Sequence, residues 1–289
     1  MSSAIDAVAN KTGQSSLPWA LWLRQIGAIF RSDLQKNFLG RRAILIYLLA
    51  LLPLFPLLVL ALFARQLPSD WKDINNLSLI YSLLYNGLLL RTVVFFGCAW
   101  IFMNLFRGEI VDRSLHYYFL SAVRREVLVV GKYFSGLVTS IVLFTFTTVV
   151  GMLLLYLPHS YSQGMRYFTE GHGLTHLLTY AGITILACVG YGAFFVVVGL
   201  FVRNPIIPAV LLYGWEWLNF LLPPLLKKVS VIHYLNSLVP VPVSEGPFAV
   251  IAEPTPVWIA VPSMLGVTLL VLILAAFRIR HMEIRYGSD

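Results

Sequence analysis

From Ala43 to Ala64 the chain runs 22 residues without a charged side chain, and comparable stretches recur about five more times before its end. A helix needs about 20 apolar residues to cross the hydrocarbon core of a bilayer. Repeated stretches of that length restrict the fold to an all-α polytopic membrane protein.

Composition points the same way. Hydrophobic residues make up 58% of the 289 and charged residues 12%, too few to clothe a water-soluble surface. One transmembrane domain over residues 17–289 is expected, preceded by a polar tail, residues 1–16, read as disordered and cytoplasmic. That tail lacks the basic-then-apolar order of a cleaved signal. Cys98 and Cys188 both fall inside apolar stretches and read as small core residues.

Six spans are expected, at about 43–64, 77–106, 133–157, 174–202, 206–226 and 257–277. Pro53 and Pro56 inside the first predict a kink, because neighbouring helices can satisfy the freed carbonyls. The second is long enough to be tilted or broken. With both termini cytoplasmic, fifteen of the 21 Lys and Arg fall on the inner side and five on the outer, with Arg91 left inside a span. That excess follows the positive-inside rule. The net charge of +8 is therefore assigned to topology and to contact with membrane lipids, and no nucleic-acid partner is expected. The predicted location is the plasma (inner) membrane, multi-pass.

Three segments outside the spans stand out. Over residues 19–38, Trp19, Trp22, Leu23, Ile26, Ile29, Phe30, Leu34 and Phe38 recur at helical spacing among Arg24, Arg31 and Lys36. This predicts an amphipathic helix in the membrane interface; packing on the protein's own cytoplasmic loop is the alternative. Residues 227–256 interleave apolar residues with Pro240, Pro242, Pro247, Pro254 and Pro256, which reads as a re-entrant or interfacial lid over the outer mouth, or as a plain structural loop. Residues 107–132, RGEIVDRSLHYYFLSAVRREVLVVGK, mix charges with apolar and aromatic residues, and such a piece needs a partner or the spans to cover its apolar face.

This last run resembles the loop between the second and third spans of ABC-2 type transporter permeases, the membrane subunits of type V exporters. The resemblance rests on Glu109, Ser114–Leu115, Phe119–Leu120–Ser121, Arg124–Arg125 and Gly131–Lys132. Arg113 stands where many members carry Gly, and Ala122 where many carry Pro. The likeness extends to the interfacial helix, the six spans, the turn at Arg203-Asn204-Pro205 and the Pro-rich outer loop.

The resemblance implies that 107–132 carries a cytoplasmic coupling helix seated on a separate ATP-binding cassette ATPase. Glu109, Asp112, Arg113, Ser114, Leu115, Arg124, Arg125 and Lys132 are its expected contact residues. It also implies that the chain dimerises, with a second copy or a homologous permease, to form an export path. ATP and Mg belong to the partner. This chain has no G-x-x-x-x-G-K-[ST] loop: Gly131-Lys132 is followed by Tyr133, and Glu126 takes the first glycine's place. No cofactor and no catalytic site of its own are expected. An integral-membrane lipid-modifying enzyme and a non-transporting scaffold are the alternatives, but the thirteen acidic residues are scattered and supply no catalytic cluster.

Two ionisable residues fall deep in predicted spans, Arg91 and Glu216. An unpaired charge there costs on the order of 3 kcal/mol, so they read as an intramembrane pair, as cavity-lining groups, or as snorkelling side chains. His172 and His176 have a spacing that can present two imidazoles on one face, but with only Glu170 nearby no metal site is expected.

Overall fold

The computed structural model describes residues 18–40, 43–63, 66, 73–111, 124–156, 161–202, 204–243 and 253–280. Among these residues every regular element is a helix. Helix α1 (Pro18–Leu39) precedes α2 (Ala43–Leu51) and α3 (Leu54–Leu62). Next come α4 (Ile74–Leu84), a π-helical segment (Tyr85–Val94) and α5 (Phe95–Val111). Helices α6 (Arg125–Tyr156), α7 (Tyr161–Thr169) and α8 (Gly173–Phe201) follow. After α9 (Ile206–Trp217) and a 3₁₀ turn (Leu218–Leu221) come α10 (Pro224–Lys227), α11 (Val231–Ser237) and α12 (Val257–Arg280).

Five helical stretches are long and apolar enough to cross a bilayer: Ala43–Leu62, Asn75–Glu109, Arg125–Tyr156, Gly173–Phe201 and Val257–Arg280. They identify a multi-pass membrane protein. The expected fifth span, 206–226, is not of that kind. Its helix α9 is 12 residues, and α9 with the 3₁₀ turn rises about 26 Å, short of the ~30 Å core. Pro223 and Pro224 stop it, since neither can donate to the helix.

The other spans keep their places but not their edges. The first is divided at Leu52–Pro53, and the Thr147 hydroxyl of α6 donates to the Ala50 carbonyl there at 3.0 Å. The second is one helical path whose middle ten residues widen to a π-helix. The third begins eight residues before its expected start, at Arg125, and α5 persists to Val111. Much of the predicted loop 107–132 is thus the ends of two spans.

Close helix approach is made by small residues, as packing inside a membrane requires. A Cβ on Gly192 of α8 would lie 2.5 Å from the Phe102 ring of α5, and one on Gly97 of α5 would lie 2.0 Å from the ring of Phe144 on α6. A buried polar seam crosses the same core. Tyr85 donates to the Tyr180 carbonyl at 3.0 Å and meets the Thr184 hydroxyl at 3.0 Å. Thr148 meets Thr184 at 3.0 Å, and Tyr81 donates to the Thr148 carbonyl at 2.8 Å. Cys98 and Cys188 are fully buried and free, as expected of core residues.

Candidate functional site

Two polar constellations stand apart from this seam, one at the basic end of the bundle and one midway along it.

The first gathers at the basic end, where α1, α5 and α6 meet. Helix α1 packs along α6, with Ile29 buried against Gly131, where a Cβ would come within 3.1 Å of its Cγ2. One turn further on, the same α1 stripe presents Asp33. Lys132 of α6 reaches it, with Nζ 3.0 Å from Asp33 Oδ2 and 2.8 Å from Glu109 Oε1 at the end of α5. The Lys132 side chain is 1% exposed, Asp33 3% and Glu109 10%. Lys36 borders the two acids at 3.7 Å and 3.6 Å from the solvent side. Two cations thus match two carboxylates, which is what burying charges demands. A cavity of about 130 Å³ adjoins them, with Asn37 and Asn104 among its lining residues.

This cluster holds both stems of the segment 112–123. Of the eight residues expected to contact an ATPase, Glu109 and Lys132 are buried in it. Asp112, Arg113, Ser114 and Leu115 lie outside the described residues. The Arg124 guanidinium sits over the Trp22 ring at 4.6 Å. Arg125 donates to the carbonyls of Arg280 at 2.9 Å and Ile279 at 3.3 Å, satisfying the orphan C-terminal acceptors of α12. Glu126 pairs with Arg280 beside it. Glu109, Lys132 and Arg125 therefore bind the bundle's own helices. The described part of the run can offer a partner Arg124, which is exposed.

The second constellation lies at the end of α9. Glu216 is 3% exposed, and its carboxylate accepts from Ser230 Oγ at 2.8 Å, Ile232 N at 2.8 Å, Val231 N at 3.0 Å and Tyr191 OH at 3.3 Å. Three of the four donors converge on Oε2, and Val231 N takes Oε1. Two of the four are backbone N–H groups of α11, left without helical partners at its first turn. Arg91 is half-buried on the π-helical segment and donates to the carbonyl of Trp217 at 3.3 Å, next in the chain to Glu216. The two charged residues are neighbours, and the donors that hold the carboxylate come from Tyr191 of α8 and from residues 230–232.

That segment folds back against the bundle. At Ser230 the chain is beside Glu216, and α11 then leads to Ser237, whose hydroxyl accepts from Thr255 N at 3.1 Å just before α12. Ser82 Oγ of α4 donates to the Val241 carbonyl at 2.6 Å, so the segment also lies across the second span.

His176 shares a 2.8 Å hydrogen bond with the Tyr167 hydroxyl. Among the described residues no group of three or more His, Cys, Asp or Glu is placed to hold a metal.

Sequence reasoning missed Asp33, although a signal was present. Ile26, Ile29, Phe30 and Asp33 follow the 3–4 spacing of one helix face, and an acid on an apolar stripe announces a buried partner. Ser230 and Tyr191, the hydroxyl partners of Glu216, carried no such signal.

Comparison of the chain with protein-family models, with curated proteins and with solved structures gives no match.

Proposed function

We propose that this chain is the membrane-spanning permease subunit of an ATP-binding cassette exporter of the ABC-2 type. A separate ATPase docks on residues 112–123, and a second permease, identical or homologous, completes the path. The observation that carries this reading is the Asp33–Lys132–Glu109 cluster. It joins the ends of the second and third spans to the amphipathic helix α1 at the root of the segment that resembles the family's coupling loop. A push on that segment is delivered to three elements at once, because the buried lysine yields to neither acid without leaving a charge uncompensated.

The basic end is then cytoplasmic, which agrees with the positive-inside rule. The re-entrant α10–α11 segment, pinned through Glu216, closes the far end of the bundle and is the element that opens for export. Nucleotide and Mg reside on the partner, and this chain supplies only the path and the coupling.

Glu109 and Lys132 are poor probes of docking, since their loss acts on the fold. The loop itself is the probe. Replacing residues 113–122 by a Gly-Ser linker of equal length leaves the cluster and the spans intact. The linker variant is expected to purify as a folded membrane protein without the ATPase that accompanies the native chain. Retention of the ATPase by that variant would contradict the proposal.

A further inference from the structure

Beside the Glu216 constellation, with its donors Ser230 and Val231 in the lining, α8, α12 and the α10–α11 segment enclose a groove of about 250 Å³. Its length is apolar: Phe194 of α8, Val231 of α11, and Met264, Val267 and Val271 of α12. Gly190 makes the space, since a Cβ there would lie 2.8 Å from Met264 Cε. Lys228 is the charged residue of this lining.

Position decides what such a groove can hold. Met264 is seven residues into α12 from Val257, a rise of about 10 Å. The Cβ position of Gly190 touches both Met264 and Val231, so Val231 lies at the same depth, with Lys228 three residues before it. Lys228 is exposed and lines the same groove as Met264 and Val231. An ammonium facing hydrocarbon is costly unless it reaches water or an anion, and its stem can lie along apolar surface while the charge does so. Along its side the groove is open, with Val267 62% and Val229 73% exposed. Helix α12 is long and apolar enough to cross a bilayer, and exposed apolar side chains on such a helix suit lipid. Among the described residues no acid lines the groove, and Glu216 has its oxygens engaged by α11, Ser230 and Tyr191.

We propose that this groove binds an anionic phospholipid, its phosphate on the Lys228 ammonium and one acyl chain laid against Phe194, Met264, Val267 and Val271. A soluble anion would leave the apolar length empty, and a neutral lipid would leave the lysine without a counter-charge. The lipid would brace the α10–α11 segment against α12. This site does not depend on the transport reading.

The test is native mass spectrometry of the purified full chain, delipidated and then offered phosphatidylglycerol or phosphatidylcholine. The native chain is expected to retain phosphatidylglycerol about fivefold better, the worth of one lysine near an anionic surface. Lys228→Gln should reduce this to the phosphatidylcholine level, whereas Lys228→Arg and the distant Arg166→Gln should preserve it. Val267→Trp, filling the groove from an exposed position, should lower retention of both lipids. An undiminished preference in Lys228→Gln, equal retention of the two lipids by the native chain, or unchanged retention in Val267→Trp would each overturn the proposal. So would inorganic phosphate displacing phosphatidylglycerol from the native chain, which would identify a soluble-anion site.

Discussion

Lys132 is a lysine with 1% of its side chain exposed, held between two acids contributed by different helices. Removing one partner from such a group is worth far more than forming it, because the remaining charges stay buried without compensation. Lys132→Met is therefore expected to lower stability by about 3–5 kcal/mol, read as a fall in the thermal unfolding temperature in detergent. Combining it with Asp33→Asn and Glu109→Gln removes the stranded charges and should recover most of that loss. If the triple variant is less stable than Lys132→Met, the three residues do not act as one balanced cluster. The same reasoning explains why the charged residues most prominent in the coupling-loop resemblance are not all on the surface. Charge pattern along a chain says that a counter-charge is needed; only the fold says whether a partner protein or a neighbouring helix supplies it.

At the scale of elements, the outer segment is the one whose stability hangs on few contacts. Helix α11 is seven residues, too short to persist by propensity alone, and Glu216 satisfies two of its first N–H groups and Ser230. Glu216→Leu is expected to cost about 2–3 kcal/mol, since each buried donor left unsatisfied costs about 1–3 kcal/mol. Ser230→Ala should cost about 1 kcal/mol in the native chain and close to nothing in the Glu216→Leu background. Thermal unfolding of the four proteins checks this, and strictly additive losses would show that Glu216 does not hold the segment. Arg91→Leu belongs in the same series, because Arg91 binds the carbonyl beside Glu216. Much of this was legible beforehand: a charge deep in a span signals a partner, and clustered prolines signal a broken path. The length of α9 was not, because hydropathy runs on through Leu221 and Leu222 while the helix ends at Trp217. The early start of α6 at Arg125 was hidden for the opposite reason: polar residues at a span's end belong to the helix but not to its apolar length.

The whole molecule is a bundle with one basic end, where α1, the ends of α5, α8 and α12 and the start of α6 gather. That end reads as cytoplasmic from its charge. Single cysteines at Asp70, Glu170 and Glu245, introduced after replacing Cys98 and Cys188, are expected to react with an impermeant thiol reagent in intact cells. Labelling only after the cells are opened would reverse the orientation and place the 112–123 segment away from any cytoplasmic ATPase. The multi-pass character, the basic end and the helix over 19–38 could be read from periodicity and charge; the span count could not, since six were expected and five helices are long and apolar enough to cross a bilayer. The cluster that ties them together could not, because Asp33 and Lys132 are 99 residues apart in the chain and nothing in sequence spacing brings them together. The central claim is that the 112–123 segment receives work from a separate ATPase. The most direct measurement is ATP hydrolysis by the chain purified under mild conditions from its own cells, compared with Leu115→Asp, a change within the 112–123 segment. The native preparation should hydrolyse ATP through a co-purifying subunit. Leu115→Asp should lose both the hydrolysis and that subunit while its thermal unfolding temperature stays unchanged. A native preparation without ATP hydrolysis, or a Leu115→Asp preparation that retains it, would contradict the account.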